Sequence, residues 1–336
     1  IDLNKHNYSL IEKSDLIVVS PGIPDTAEVI RFARKKNIRI IGEIELAATF
    51  NTKPVIAITG SNGKTTTTAL TGFLLNASNK RALVCGNIGY AFSRALLENS
   101  VDDFDWIVLE ISSFQIDTTI DFCPQISVLT NITPNHLDRY SSFDDYKYSK
   151  KNLFKNQKPT DVAILNFKDK ESIAVTTDIK PTKLFFNTDK FEECIYQIDD
   201  EIIYKNKTFK TAICAVKDLK IIGAHNYENA QAASLAVLKA GADINSIIQA
   251  LPNFTGVEHR LEFFGEYLGA RFYNDSKATT TDAVSKSLSA FDCPVILIAG
   301  GRDKNLDFSV LTEIIRQKVK VLILTGEAAQ KMNNQI

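Results

Sequence analysis

The polar and apolar positions along the 336 residues change period several times, and the changes mark out elements. DLIVVS at 15–20 reads as a short strand running into an SPG turn, with a helix expected over 26–36 and a strand over 38–41. Residues 53–58 carry Val55, Ile56, Ala57 and Ile58, an apolar run that suits a parallel strand buried on both faces. After Gly60 and Gly63, the positions Ala69, Leu70, Phe73, Leu74 and Ala77 recur at helical spacing. Strand-like runs return at 105–110, 126–131 and 161–166, with helical stretches between several of them, which predicts an α/β doubly wound sheet. IYQIDDEIIYK at 195–205 alternates about an Asp-Asp turn and predicts an antiparallel hairpin. The helix HNYENAQAASLAVLKAG follows and is stopped by Gly241. Beyond PNFTG (252–256) the pattern restarts, with a hairpin around Gly269 and then PVILIAGG, FSVLTEIIRQK and VKVLILTG as strand, helix and strand. Domain boundaries are expected near 50–53 and 253–257.

Composition narrows the classes. A hydrophobic share of 44% and a charged share of 24% belong to an ordinary globular chain with enough apolar residues for a large core. The formal net charge of −1 leaves no basic footprint, so nucleic acid is not expected as a partner. The longest apolar runs are too short to span a bilayer, and the first residues lack a signal-peptide layout. The five cysteines form no C-x-x-C pair, which suits single thiols in a reducing cytoplasm. The chain starts without Met and stops at KMNNQI soon after a strand, so both ends are expected to be cut.

The sharpest chemistry is ITGSNGKTTTT at 58–68. Strand, glycine loop and helix in succession turn backbone N–H groups and the positive end of a helix toward one point. Gly60, Ser61, Asn62 and Gly63 would form the cradle, Lys64 would neutralise phosphate oxygens, and the Thr65 hydroxyl, followed by Thr66, is placed for Mg²⁺. The common G-x-x-x-x-G-K-[ST] spacing wants glycine at 58, where this chain has Ile58. In doubly wound sheets ligands sit beyond the carboxyl ends of the strands. Glu110 closes one such strand and is a natural Mg²⁺ ligand there. NITPNHLDRY (131–140) brings His136 and Asp138 to the same rim.

GSNGKTT, GNIG (86–89), LEISSFQ (109–115), NITPNHLDRY, the helix that carries Lys150, GAHNYENAQAA (223–233), GVEHRLEF (256–263), NDSKATTTDA (274–283) and GGRDKNLDFS (300–309) occur in the order seen in the Mur ligases, and the chain resembles that family over nearly its whole length. The short glycine spacing is that family's form of the loop. SSFQ, HRLEF and NDSKAT are similar to the branch that adds D-glutamate.

The resemblance implies a three-domain architecture. A central doubly wound P-loop domain (53–256) that binds ATP would be flanked by a partial N-terminal domain for the UDP-substrate (1–52) and a partial Rossmann-like C-terminal domain for the incoming amino acid (257–336). It implies that Lys64 and Thr65 bind ATP phosphates and one Mg²⁺, with Glu110 in the same metal's shell. Asn87, Ser112, Gln115 and His136 would face the muramyl substrate and a second Mg²⁺. Asn226 and Asn229 would contact the base, Arg260 the phosphates and Asp275 the ribose. Lys277, Thr279 and Lys304 would lie near the amino acid, two of them basic and suited to an acidic one. Ser20, Pro21 and Gly22 match a turn against the uridine diphosphate end.

Lys150 matches a carbamylated lysine of the family. An ammonium about 4 Å from a divalent ion would be repelled by roughly 8 kcal/mol at an effective dielectric of about 20, whereas a carbamate supplies the oxygen that Mg²⁺ prefers. With His136 and Arg260, Lys64 and Lys150 make up the expected catalytic set. The implied reaction is ATP-dependent amide formation between UDP-N-acetylmuramoyl-L-alanine and D-glutamate through an acyl phosphate, in cytoplasmic peptidoglycan synthesis, by a monomer. Another Mur ligase, a relative such as folylpolyglutamate synthetase, or a non-ligating ATP-binding module stay open as alternatives.

Overall fold

The computed structural model describes residues 6–135, 139–303 and 306–336. Two short parallel strands, β1 (Leu16–Val19) and β2 (Arg39–Gly42), pair near the N-terminus. The main sheet contains β3 (Val55–Thr59), β4 (Ala82–Gly86), β5 (Trp106–Glu110), β6 (Ile126–Leu129), β7 (Val162–Asn166), β8 (Thr182–Phe186), β9 (Cys194–Ile198), β10 (Glu201–Lys205) and β11 (Lys210–Ala215). Its order is β11-β10-β9-β8-β7-β6-β3-β5-β4, parallel from β4 to β9 and antiparallel over β9-β10-β11. The doubly wound sheet and the 195–205 hairpin are present as expected, and β11 adds a third antiparallel strand. The hairpin β12 (Glu262–Tyr267) and β13 (Ala270–Asn274) follows, and then the parallel pair β14 (Val295–Gly300) and β15 (Val319–Thr325).

Burial explains why β3 reads as an unbroken apolar run. Ile56 and Ile58 face one core, against helices Lys64–Ala77 and Ala224–Lys239. Val55 and Ala57 face the other, with Phe92, Tyr146 and Phe154. Helix Glu43–Phe50, on the N-terminal side of the expected boundary, buries Ile44 and Ala47 in that same second core. The buried Glu45 carboxylate accepts backbone N–H bonds from Ile120, Asp121 and Phe122 at 2.8–3.0 Å, which fixes this helix to the sheet. A separate core of Leu288, Phe308, Leu311, Ile315 and Met332 lies under β14 and β15.

Differences from the expected elements are local. Strand β6 stops at Leu129, because Thr130 and Asn131 leave the sheet to bond the glycine loop. FSVLTEIIRQK divides into a 3₁₀ turn, Ser309–Leu311, and the helix Thr312–Lys318. Lys331 to Gln335 of the closing KMNNQI lie in helix Ala329–Gln335. Among the described residues no helix is long and apolar enough to cross a membrane.

Candidate functional site

Parallel pairing puts the carboxyl ends of β3, β5 and β6 side by side: Ile58 is level with Glu110 on one side and Val128 on the other. The loop Gly60–Gly63 springs from the middle strand. Gly60 has φ +152°, and a Cβ there would fall 1.9 Å from Thr130 Oγ1. Gly63 has φ +82° and would meet Asn229 Oδ1 at 2.3 Å. Both positions therefore require glycine for backbone and for space. The loop is tied down on its far side. Ser61 N–H donates to Asn131 O (2.9 Å), Asn62 N–H to Asn131 Oδ1 (2.9 Å), and Thr130 Oγ1 to Asn62 O (2.6 Å). Ser61 Oγ lies 3.0 Å from the hydroxyl of the buried Tyr146.

Two lysines converge on this loop. Lys64 Nζ donates to the carbonyls of Gly60 (2.8 Å) and Ser61 (3.0 Å), and Lys150 Nζ donates to Gly60 O (2.9 Å) above the Tyr146 ring. Burial lowers the pKa of Lys64, with Arg260 adding to the effect and Glu110 opposing it. Lys150 is held well below the ordinary lysine value, first by burial and then by Lys64. A half-buried and a fully buried amine with few counter-charges make a pocket that favours an anion.

Glu110, 1% exposed, has one oxygen bonded by Asn87 Nδ2 at 2.8 Å; its Oε2 is buried with no partner among the described residues. Arg260 donates to Thr65 Oγ1 at 3.3 Å, while its Nε is likewise buried without a partner. Lys64, Thr65, Glu110, Lys150 and Arg260 thus gather around one point. Thr66 lies buried in the first turn of the following helix.

The other expected residues are more dispersed. Ser112 and Gln115 bond each other in a capping box that starts helix Ser113–Ile116. Asn226 spends its amide on Ile222 O and accepts from Asn229, so it positions Asn229, which also accepts from Thr67. Asp275 accepts Leu261 N–H (3.0 Å) and Ser287 Oγ (2.5 Å), and burial raises its pKa. Lys277 is exposed, its Nζ on Glu258 O at 3.2 Å, and Thr279 is exposed nearby. The Ser20–Pro21–Gly22 turn lies at the surface, with Pro21 O bonded by Arg139 at 2.6 Å. His136, Asp138 and Lys304 lie outside the described residues.

Several site groups escaped sequence reasoning. Tyr146, Asn131, Thr133 and Arg139 hold the loop or the SPG turn, and their only signal was membership of motifs read for other residues. Arg139 stacks on Phe114 at 4.2 Å while reaching Pro21. Asp282, whose carboxylate takes the Asn62 side-chain amide at 2.6 Å, brings the C-terminal helix Thr281–Ser289 onto the glycine loop.

A strand–glycine loop–helix at the centre of a doubly wound sheet, with a lysine at the helix start, defines the P-loop class of α/β proteins. Residues 58–237 match the Mur ligase middle domain. The chain is 40% identical over 331 residues to the UDP-N-acetylmuramoylalanine–D-glutamate ligase of Thermoanaerobacter sp. (strain X514), covering 98% of this chain and 72% of that one. It is 42% identical over 330 residues to the protein of the same name from Desulfatibacillum aliphaticivorans, covering 98% and 73%. Among solved structures, MurF from Acinetobacter baumannii superposes with a TM-score of 0.69 at 16% identity, covering 96% of this chain and 81% of that one. The UDP-N-acetylmuramate–alanine ligase MurC from Thermotoga maritima gives 0.64 at 19%, covering 96% and 74%. The chain belongs to the Mur ligase family.

Proposed function

We propose that this chain is an ATP-dependent ligase that joins D-glutamate to UDP-N-acetylmuramoyl-L-alanine, releasing ADP and phosphate, in peptidoglycan synthesis. The observation that carries the reading is 40% identity to ligases of that name across 98% of the chain. The converging Lys64, Lys150, Glu110 and Arg260 support it. A carboxylate repels an amine and has no good leaving group. Phosphorylation of that carboxylate by ATP would supply one, and the amine then attacks as phosphate departs. Lys64 and Arg260 would hold the transferring phosphoryl group and neutralise its charge, and the dry loop would keep water out.

The donor set fits Mg²⁺. Glu110 offers an orphaned, buried carboxylate oxygen and Thr65 a hydroxyl beside it. His136 and a carbamylated Lys150 would complete a second site. The lowered basicity of Lys150 favours the neutral amine that CO₂ needs. When bound, the metal supplies charge neutralisation at the phosphates.

By position, residues 1–52 would hold the UDP end through Ser20, Pro21 and Gly22, residues 53–256 the ATP through the glycine loop and Asn229, and residues 257–336 the amino acid through Lys277, Thr279 and Lys304. Asn87, Ser112 and Gln115 would line the muramyl path, and Asp275 would meet the ribose. The proposed enzyme works as a monomer in the cytoplasm.

The test is phosphate release with UDP-N-acetylmuramoyl-L-alanine, Mg²⁺ and ATP, adding D-glutamate, L-lysine, D-alanyl-D-alanine or nothing. Release only with D-glutamate, with amide product, is expected. Release without any amino acid would replace the ligase by a hydrolysing module, and release with another amino acid would move the chain to a different branch.

A further inference from the structure

A cavity of about 210 Å³ opens beside the phosphate loop, and its far wall has no role in the reading above. It runs from Asn62 and Gly63 past Asn229 to Glu228, Asn166 and Phe186. That volume lies below the roughly 300–1,000 Å³ of sites for drug-sized ligands and suits one flat heterocycle. Its continuity with the loop means that a nucleotide with phosphates at Gly63 has its base here. Phe186 provides an apolar wall, and Lys286 and His225 stand at the C-terminal side.

The polar floor is built around one carboxylate. Glu228 Oε1 accepts the side-chain amide of Asn187 at 2.8 Å, and Oε2 accepts that of Asn166 at 3.2 Å. Both amides are themselves oriented. Asn166 Oδ1 accepts Lys168 N–H at 3.1 Å, and Asn187 N–H donates to Gln231 Oε1 at 3.0 Å, one turn along the helix from Glu228. Asn187 sits at φ +66°, a left-handed conformation that asparagine tolerates better than most residues. Asn166 of β7, Asn187 just after β8 and Gln231 of helix Ala224–Lys239 thus hold the Glu228 carboxylate, which lines the cavity together with Asn166. An ionised carboxylate has about four acceptor sites and nothing to donate; two are filled, and the others leave this cavity-lining group able to accept from an occupant.

We propose that Glu228, oriented by Asn166 and Asn187, reads the nucleotide base by accepting its exocyclic amino group, so that the site selects adenine through the 6-amino group. This inference rests on the nucleotide reading of the loop. Burial raises the Glu228 pKa while the two amides, Lys168 and Lys286 oppose the rise.

The test is calorimetric titration of the chain with ATP and with purine riboside triphosphate, in which hydrogen replaces the 6-amino group, both with Mg²⁺. The wild-type chain is expected to prefer ATP by about tenfold, the value of one good hydrogen bond. Glu228→Gln should weaken ATP about tenfold and leave the analogue unchanged, so that the preference disappears. Equal binding of ATP and analogue by the wild-type chain overturns the inference without any variant. So does a Glu228→Gln chain that loses both ligands equally, the mark of a merely structural network. Failure of ATP itself to bind would instead overturn the nucleotide reading, and the inference with it.

Discussion

At the scale of single residues, the site is defined by charges that are buried, as at Lys150 and Glu110, or partly buried, as at Lys64 and Arg260. Lys150 is among the largest fully buried side chains; its amine bonds the Gly60 carbonyl and lies over the Tyr146 ring, with Lys64 nearby opposing its charge and Asp117 favouring it. Burying an ammonium without a carboxylate partner is costly, a cost that the proposed carbamate would remove. Lys150→Ala is expected to fold, judged by circular dichroism, yet to lose at least a hundredfold in turnover. Short carboxylic acids such as formate or acetate should restore part of it by supplying the missing carboxylate oxygens; a folded variant deaf to them argues against a carbamate. His225 makes a pH prediction. Burial, with Lys286 adding to it, lowers its pKa to about 4. The unfolded chain takes up this proton first, near pH 6.5, so the contribution is complete above that value and lost as pH falls toward 4. The loss amounts to at most about 3 kcal/mol. Urea midpoints at pH 7 and pH 5 should differ more for the wild-type chain than for His225→Gln. The sequence made Gly60, Gly63, Lys64 and Thr65 legible, because strand, loop and helix announce them within a dozen positions, and Glu110 legible because it closes another apolar strand. Glu45, Tyr146 and Glu228 were not, since each acts on partners more than 40 residues away.

At the scale of elements, the central strands were readable because both faces are buried and every position is apolar. Strand β4 was missed because Ala82, Leu83 and Val84 are only half-buried at the sheet's edge. Strand β8 was missed because TKLFF is short and only Leu184 and Phe186 are buried. Helix Lys64–Ala77 begins with four threonines, poor helix formers that lose side-chain freedom. It survives because packing and hydrogen bonds replace propensity: Thr67 donates to Asn229 and Thr71 to Thr67 O. The turn into this helix is the sensitive point. Gly63→Ala must hold a left-handed backbone at about 1–2 kcal/mol and push Asn229 off its bonds to Thr67 and Asn226. Chemical denaturation should record that loss, and ATP titration should weaken at least tenfold. An alanine variant with wild-type affinity would mean that the loop does not hold phosphate in this shape.

At the scale of the whole molecule, the boundary near 253–257 could be expected from PNFTG, but how the flanking parts meet the centre could not, because the contacts join residues about 120 to 220 positions apart. Arg139 ties the SPG turn to Phe114, Asp282 takes Asn62, and Arg260 reaches Thr65. The last two lie on the proposed phosphate path, and Arg260 Nε is buried with no partner among the described residues. Bound ATP would replace the long 3.3 Å bond from the Arg260 guanidinium to the uncharged Thr65 hydroxyl with shorter bonds from Arg260 and Lys64 to charged phosphate oxygens. It would therefore tighten residues 257–336 against the sheet. At a hundredfold excess over Kd, linkage contributes about 2.7 kcal/mol, or roughly 4 °C in thermal midpoint for a chain of this size. ATP should also slow protease cleavage near 253–257. Arg260→Met should keep its nucleotide-free midpoint, since it loses only one weak bond and an orphaned donor, but forfeit most of the ATP-dependent shift and protection. A Met variant that gains as much from ATP as the wild-type chain would place Arg260 off the phosphates. The protection would then run through the bond of Asp282 to Asn62 of the glycine loop, and Asp282→Ala, not Arg260→Met, should abolish it.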